Sequence, residues 1–333
     1  MNPDAALDIQ ALTIGFPASN GAWENVVEGI SLTIDSGERV GLVGESGSGK
    51  SLTALACLGL VPDPGRVVSG SVTIDGTEVL SMSEREIARI RGGEIGLAFQ
   101  EAADALNPVF TVGFQIAETL AAHSGMHRRE ARDGTIELLA QVAVDDPQMV
   151  AQAYPHELSG GQAQRAMLAA ALAGQPRVLI ADEPTSALDT VTQSRVLDLL
   201  DRLVDDHGLG LLLISHDLAI VEGMVDRVHL MYKGRIVEEG PAEPVFSAPI
   251  HPYTRMLLAS RPGKRSAAGN EPYTGDIHST RPSETGCRFR SRCPDAVTPC
   301  AENEPELGEI GRGRRARCPI SIAAAREAHD GEL

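Results

Sequence analysis

Residues Gly44, Glu45, Ser46, Gly47, Ser48, Gly49, Lys50 and Ser51 satisfy the pattern G-x-x-x-x-G-K-[ST]. Each residue type in that pattern has a task on a chain of phosphates. Glycines let backbone N–H groups turn inward around the phosphates, and a following helix aims its positive end at them. Lys50 reaches the outer phosphates, and the Ser51 hydroxyl is offered to Mg²⁺. Lysine occurs only at positions 50, 233 and 264, which makes a chance match in this composition rare. A second chemical group stands at Asp182 and Glu183, where the apolar run 178–181 ends in two adjacent acids. A carboxylate at the C-terminal end of a strand can hold Mg²⁺ through water. Asp182 takes that task. Adjacent residues near a strand end point in different directions, so Glu183 can serve separately as the base that polarises an attacking water. Alone, such a pair reads as an ordinary turn; the phosphate loop gives it a purpose.

The elements that must hold these residues follow from hydrophobic periodicity. Residues 7–16, 30–34 and 72–74 alternate apolar and polar positions between turn residues and predict short antiparallel strands. Residues 40–43 are a compact apolar strand that runs through the glycine-rich turn into a helical pattern at 51–60, the junction that a phosphate loop occupies. From 107 to 175 the pattern is mostly helical, with 116–122, 136–142 and 162–173 as candidate helices. Two buried-type strands, 178–181 and 211–214, flank a helical run at 192–204, the strand, helix, strand order of a parallel sheet. A hairpin is expected around Lys233 and Gly234. Residues 241–282 are dense in Pro, Gly and Ser, which puts a domain boundary near 240.

Leu158-Ser159-Gly160-Gly161-Gln162, followed by Gln164-Arg165 and an alanine-rich stretch, resembles the signature motif of ABC-type ATPases. Physically, Ser159 is a good N-cap and the glycines leave the helix start open to an anion. The other landmarks of that family occur in order. Phe16 matches the aromatic that stacks on adenine, Gln100 the Q-loop, Ser186-Ala187-Leu188-Asp189 the D-loop, and His216 the switch histidine. Taken singly, Phe16 reads as core, Gln100 as a surface amide and His216 as a satisfied strand-end histidine; only the ensemble promotes them. Gln100 and His216 each end a predicted strand, 94–100 and 211–215.

The resemblance covers residues 6 to about 240 and implies an α/β fold. An N-terminal antiparallel β-subdomain, a parallel-sheet core and a helical signature subdomain at about 101–175 make up an ATPase domain of residues 1–240. It implies nucleotide contacts from Phe16, the loop 44–51 and Leu52, Mg²⁺ contacts from Ser51, Gln100 and Asp182, and catalysis by Glu183, His216 and Gln100. Ser159, Gly160, Gly161 and Gln162 would act on ATP held by a second cassette, with Asp189 in the D-loop.

Within the class, residues 106–113, His251-Pro252-Tyr253-Thr254 and the C-terminal cysteines resemble the oligopeptide/dipeptide importer branch. Cys287, Cys293, Cys300 and Cys318 form a C-x5-C-x6-C-x17-C pattern in the extension 241–333. Spacing alone leaves iron–sulfur and zinc open, since soft sulfur suits both and no close C-x₂₋₄-C pair is present. The branch implies one [4Fe–4S] cluster. It also implies a second, homologous ATPase subunit, two transmembrane permease subunits and an extracytoplasmic solute-binding protein. The branch implies di- or oligopeptides as the cargo, with nickel, glutathione or sugars, which related importers carry, as the alternative.

Composition excludes other classes. A formal charge of −17 and a pI near 4.9 repel a phosphate backbone, so nucleic acid is not an expected partner. No apolar run approaches the roughly 20 residues that cross a bilayer. Residues 1–7 lack the basic flank and apolar stretch of a secretory signal, so the expected compartment is the cytoplasm, and the resemblance to the importer branch implies the cytoplasmic face of the cell membrane. A soluble ABC protein of repair or translation would show two cassettes, a coiled-coil insertion or basic patches.

Overall fold

A computed structural model describes residues 5–19, 21–100, 102–186, 188–260, 285–320 and 322. Its first strands, β1 (Leu7–Pro17) and β2 (Trp23–Ile34), pair antiparallel. Leu7 and Ile9 alternate into the core, but the next buried positions are Leu12 and Ile14, one residue out of step. A bulge absorbs the extra residue: the register shifts between Ile9 and Leu12, and Ala11 adopts φ 48°. Both pairs of side chains thereby face the same interior.

β3 (Arg39–Val43) leads through the phosphate loop into α1 (Lys50–Cys57). β4 (Arg66–Ile74) and β5 (Thr77–Glu78) complete a four-stranded sheet of order β2-β1-β4-β5. α2 (Glu84–Ile90) then connects to β6 (Ile95–Ala98). The helical region holds α3 (Ala102–Ala105), α4 (Val112–Ser124), α5 (Arg128–Gln141), α6 (Pro147–Gln152) and α7 (Gly160–Leu172). Val112, Ile116 and Leu120, at the i, i+4 spacing that puts apolar groups on one face of α4, form its buried side with Leu139 of α5, Val150 of α6 and Leu168 of α7.

The chain returns to the sheet through β7 (Val178–Asp182), α8 (Thr190–His207), β8 (Gly210–Ser215), α9 (Leu218–Met224), β9 (Arg227–Tyr232) and β10 (Arg235–Pro241). β3, β6, β7, β8 and β9 are parallel, and β3, β7 and β8 are covered on both faces, which is why they read as unbroken apolar runs. The parallel strands deliver the ends of β3, β6, β7 and β8 to one edge, where Gly44, Gln100, Asp182, Glu183 and His216 follow them.

The composition change near 240 falls inside β10. Beyond it lie α10 (Ala242–Ser247), α11 (Pro252–Ala259), α12 (Pro299–Glu302), β11 (Gly308–Gly311) and β12 (Arg314–Ala316). β12 pairs with β10 through Glu238↔Ala316 and Glu239↔Arg315, extending the core sheet to the order β11-β12-β10-β9-β3-β8-β7-β6. Glu238 is wholly buried, and its carboxylate accepts from the backbone N–H groups of Ile250 and His251 and from Arg314 at 2.7 Å. Removing one partner of such a buried pair strands the other charge and costs about 3–5 kcal/mol, so Glu238 and Arg314 depend on each other across the junction of sheet and extension. Residues 261–284, most of the Pro/Gly/Ser-rich stretch, lie outside the described residues.

Candidate nucleotide-binding site

The phosphate loop is shaped by what its glycines must avoid. A Cβ on Gly44 would lie 2.1 Å from the Met231 carbonyl oxygen on β9, so only glycine lets the loop start that close to the neighbouring strand. Gly49 has φ 107°, a left-handed conformation that side chains rarely adopt. Lys50 then opens α1 at only 7% exposure, and its ammonium donates to the carbonyls of Gly44 at 2.8 Å and Glu45 at 3.0 Å. The side chain thus curls across the loop. Burial pushes its pKa down, against the charges of Glu183, Asp182 and Glu45. Ser46 and Gly47 are exposed, whereas Ser48 is buried and its carbonyl accepts from Gly234 N–H of the β9–β10 hairpin at 2.9 Å. Leu52 packs half-buried on the apolar core, so its side chain is a structural member of α1.

Asp182 ends β7 beside this loop and is 8% exposed. The Ser51 hydroxyl donates to its carboxylate, yet Asp182 Oδ1 is buried with no hydrogen-bond partner. Burial raises its pKa, with Ser51 and Lys50 opposing and the Glu183 charge adding to the rise. Ser51, Gln100 and Asp182 line one cavity of about 500 Å³, together with Leu97 and Phe99. An unpartnered carboxylate oxygen, a hydroxyl and an amide are the hard oxygen donors that suit Mg²⁺. Gln100 follows β6 as an exposed residue, one position beyond Phe99.

Glu183 stands next in sequence at 8% exposure with φ 50°, a left-handed conformation that costs about 1–3 kcal/mol for a non-glycine residue. The conformation turns its carboxylate away from that of Asp182 toward β8. There Glu183 Oε1 accepts from His216 N–H at 2.9 Å and lies 2.7 Å from His216 Nδ1. A carboxylate only accepts, so Nδ1 carries the proton and Nε2 is left for another partner. The His216 side chain is 63% exposed.

Other predicted residues are placed by local tasks. Phe16 ends β1 half-buried with its ring over Gly65, where an added Cβ would lie 2.4 Å from the ring. Beside it, the exposed Trp23 carries the Arg66 guanidinium 4.0 Å above its ring, a pair that sequence reading missed. Ser159 is the N-cap of α7: its hydroxyl accepts from Gln162 N–H at 3.3 Å, and Gln162 Oε1 accepts from Ser159 N–H at 3.0 Å. Gly160 is exposed, and Gly161 allows α8 to approach, since a Cβ there would meet Thr192 Cγ2 at 2.8 Å. Asp189 caps α8, accepting from Val191 and Thr192 N–H groups and from the Thr192 hydroxyl at 2.6 Å. Ala187, within the predicted D-loop, lies outside the described residues.

Comparison with known proteins gives the family. The family model "ABC transporter" matches residues 27–186, and "Oligopeptide/dipeptide transporter, C-terminal region" matches residues 237–300. The dipeptide transport ATP-binding protein DppD of Haemophilus influenzae is 41% identical over 315 residues, covering 94% of this chain and 95% of its own. DppD of Escherichia coli is 39% identical over 318 residues, covering 94% and 96%. The chain belongs to the ABC transporter ATP-binding family. Among solved structures, a dimeric ATP-binding cassette bound to ADP and Pi aligns with TM-score 0.63 at 28% identity, covering 71% of this chain and 98% of that one.

As an ABC protein of the oligopeptide/dipeptide branch, the chain carries the expected cysteines, and the structure places them as follows. Cys287, Cys300 and Cys318 are buried and Cys293 is half-buried. Cys287 N–H donates to the Cys300 carbonyl at 2.8 Å. Burial pushes the Cys287 and Cys293 thiols up to about 11, and neighbouring charge adds to the rise: Glu304, Cys300 and Cys293 for the first, Asp295, Cys300 and Cys318 for the second. The thiols therefore share a neighbourhood. The expected cluster ligand set is nevertheless not assembled: among the described residues no three His, Cys, Asp or Glu groups are gathered to hold a metal. Among the described residues no helix is long and apolar enough to cross a membrane.

Proposed function

We infer that this ABC ATPase powers the import of di- or oligopeptides through separate membrane subunits. The observation that carries the ATPase part is the single cavity edged by Ser51, Gln100 and Asp182, with Lys50 curled over the loop beside it and Glu183 next in sequence. The loop 44–51 cradles the phosphates, Lys50 turns to the outer ones, and Phe16 meets the adenine. Ser51, Asp182 and Gln100 would hold Mg²⁺, which neutralises charge between the outer phosphates when bound. Glu183 takes the proton of the attacking water, and His216, held on Glu183 through its backbone N–H and Nδ1, keeps that carboxylate in place beside the outer phosphates. Sequence similarity to two dipeptide transport ATP-binding proteins over nearly their whole length supports peptide as cargo.

Ser159, Gly160, Gly161 and Gln162 start a helix at which Ser159 and Gly160 are exposed, and that favours their action on a nucleotide held by a facing cassette. The solved relative with bound ADP and Pi is dimeric, in keeping with two composite sites. The facing cassette is taken to be a second, homologous subunit. Two permease subunits supply the channel and an extracytoplasmic solute-binding protein delivers the cargo, which puts this chain at the cytoplasmic face of the membrane. The exposed Phe110 and Phe114, stacked at 4.8 Å on the helical region, are an apolar contact suited to a membrane subunit. In the extension, Cys287, Cys293, Cys300 and Cys318 are a candidate [4Fe–4S] ligand set, supported by four thiols in one neighbourhood.

Uptake by cells tests this reading. Deleting the gene should abolish uptake of labelled dipeptides, and the intact chain but not the Lys50→Ala variant should restore it. Undiminished peptide uptake with loss of nickel, glutathione or sugar uptake would move the chain to another cargo of the same branch.

A further inference from the structure

The phosphate loop is held from behind by residues far away in sequence. Glu45, its second residue, forms a two-point ion pair with Arg292: Nη1 lies 2.9 Å from Oε2 and Nη2 3.0 Å from Oε1. The Arg292 side chain is 11% exposed and that of Glu45 38% exposed. The Glu45 backbone N–H donates to the Tyr253 hydroxyl at 2.9 Å, and Tyr253 is fully buried on α11. That N–H is thereby committed to the extension.

Both contacts stand on a rigid base. Tyr253, Tyr232 and Phe289 pack with ring centroids 4.6–5.6 Å apart, and Phe289 is buried. The Arg292 guanidinium lies 5.8 Å from the Tyr232 ring and 5.6 Å from the Phe289 ring. Arg292 sits in a short turn fixed by Arg292 N–H to Phe289 carbonyl at 2.9 Å and by Cys293 N–H to Arg290 carbonyl at 3.2 Å. Tyr232 follows Met231, whose carbonyl abuts Gly44. A planar guanidinium on aromatic faces loses little freedom when it grips a carboxylate with two parallel bonds.

We propose that Arg292 and Tyr253 are positioning residues that brace the phosphate loop in its nucleotide-receiving shape, making the C-terminal extension part of the ATP site. The brace rests on the reading of residues 44–51 as the nucleotide loop. It acts on binding, because it fixes the cradle before ATP arrives, and leaves the hydrolytic step on Glu183 untouched.

The test uses the full chain, titrated with Mg²⁺ and a fluorescent ATP analogue, with thermal midpoints measured alongside. Arg292→Gln should weaken nucleotide binding roughly tenfold, about 1.4 kcal/mol, with turnover of the bound nucleotide unchanged. Arg292→Lys keeps the charge but not the fork and should fall between. Combining Arg292→Gln with Glu45→Gln should add little to either single change, since both cut one contact. Should Arg292→Gln fail to fold, Tyr253→Phe, which removes only the acceptor for Glu45 N–H, should weaken binding severalfold. Parental affinity in Arg292→Gln, or in Tyr253→Phe and Glu45→Gln where the first cannot be made, overturns the brace; so does a fully additive double variant. Lys50→Ala separates the two levels: if it too binds at parental affinity, the nucleotide reading itself fails.

Discussion

Replacing Glu183 by glutamine removes a proton acceptor while leaving nearly everything else in place. The amide has the size of the carboxylate, and its oxygen can still accept from His216 N–H at 2.9 Å and face Nδ1 at 2.7 Å. The left-handed φ of 50° costs glutamine what it costs glutamate, so no differential backbone strain enters. Exchanging a charged for a neutral acceptor weakens the His216 contacts by about 1 kcal/mol, too little to unfold a domain of this size. Nucleotide binding through the loop 44–51 should therefore stay close to parental. The hydrolytic step should lose the contribution of a general base, ~10²–10⁴-fold, which corresponds to about 2.7–5.4 kcal/mol of barrier. Phosphate release in a single turnover, measured beside nucleotide affinity, separates the two effects. A variant that releases phosphate within about fivefold of the parent would refute the assignment of Glu183, since so small a change is less than about 1 kcal/mol of barrier.

Three other expectations follow, the first from the geometry of the site and the other two from the family resemblance. Burial raises the Asp182 pKa, so protonation reaches it at a higher pH than an ordinary aspartate; the Mg²⁺ needed for half-maximal ATPase should climb as pH falls from neutrality toward the carboxylate range, and a pH-independent Mg²⁺ requirement would contradict this. The purified transporter should contain this chain and a second, different cassette in equal amounts; two copies of this chain with no other cassette would show a homodimer instead. Anaerobic purification followed by iron, sulfide and zinc analysis should give about four iron atoms per chain, the complement of one cluster, and stoichiometric zinc or four metal-free thiols would exclude the cluster.

Spacing made the phosphate-loop pattern and the acidic strand end legible because each is local. The loop 44–51 is one turn between a strand and a helix, and Asp182 follows directly from a strand end. Other features depend on contacts that sequence separation hides. The pair Arg292–Glu45 joins residues 247 positions apart, and no periodicity signals it. Likewise, a change in composition near 240 suggested an appendage, while the pairing of β12 with β10 and the burial of Glu238 against Arg314 depend on a return of the chain that composition cannot encode. The strand alternation at 7–16 hid a bulge at Ala11, because a one-residue slip is visible only once β2 fixes the register. Asp189 was read for its motif, and its immediate task as the cap of α8 comes from the ordinary chemistry of an aspartate before a helix.

The central claim is that hydrolysis at this site drives peptide movement, and it is tested by reconstituting the chain with its membrane subunits and partner cassette in liposomes. Supplied with the solute-binding protein, Mg²⁺ and ATP on the side of this chain, the vesicles should both release phosphate and move a labelled dipeptide. Both activities should disappear together when Lys50→Ala is introduced into this chain and its counterpart lysine in the partner is also changed. Dipeptide movement that persists in those vesicles without phosphate release would contradict the account.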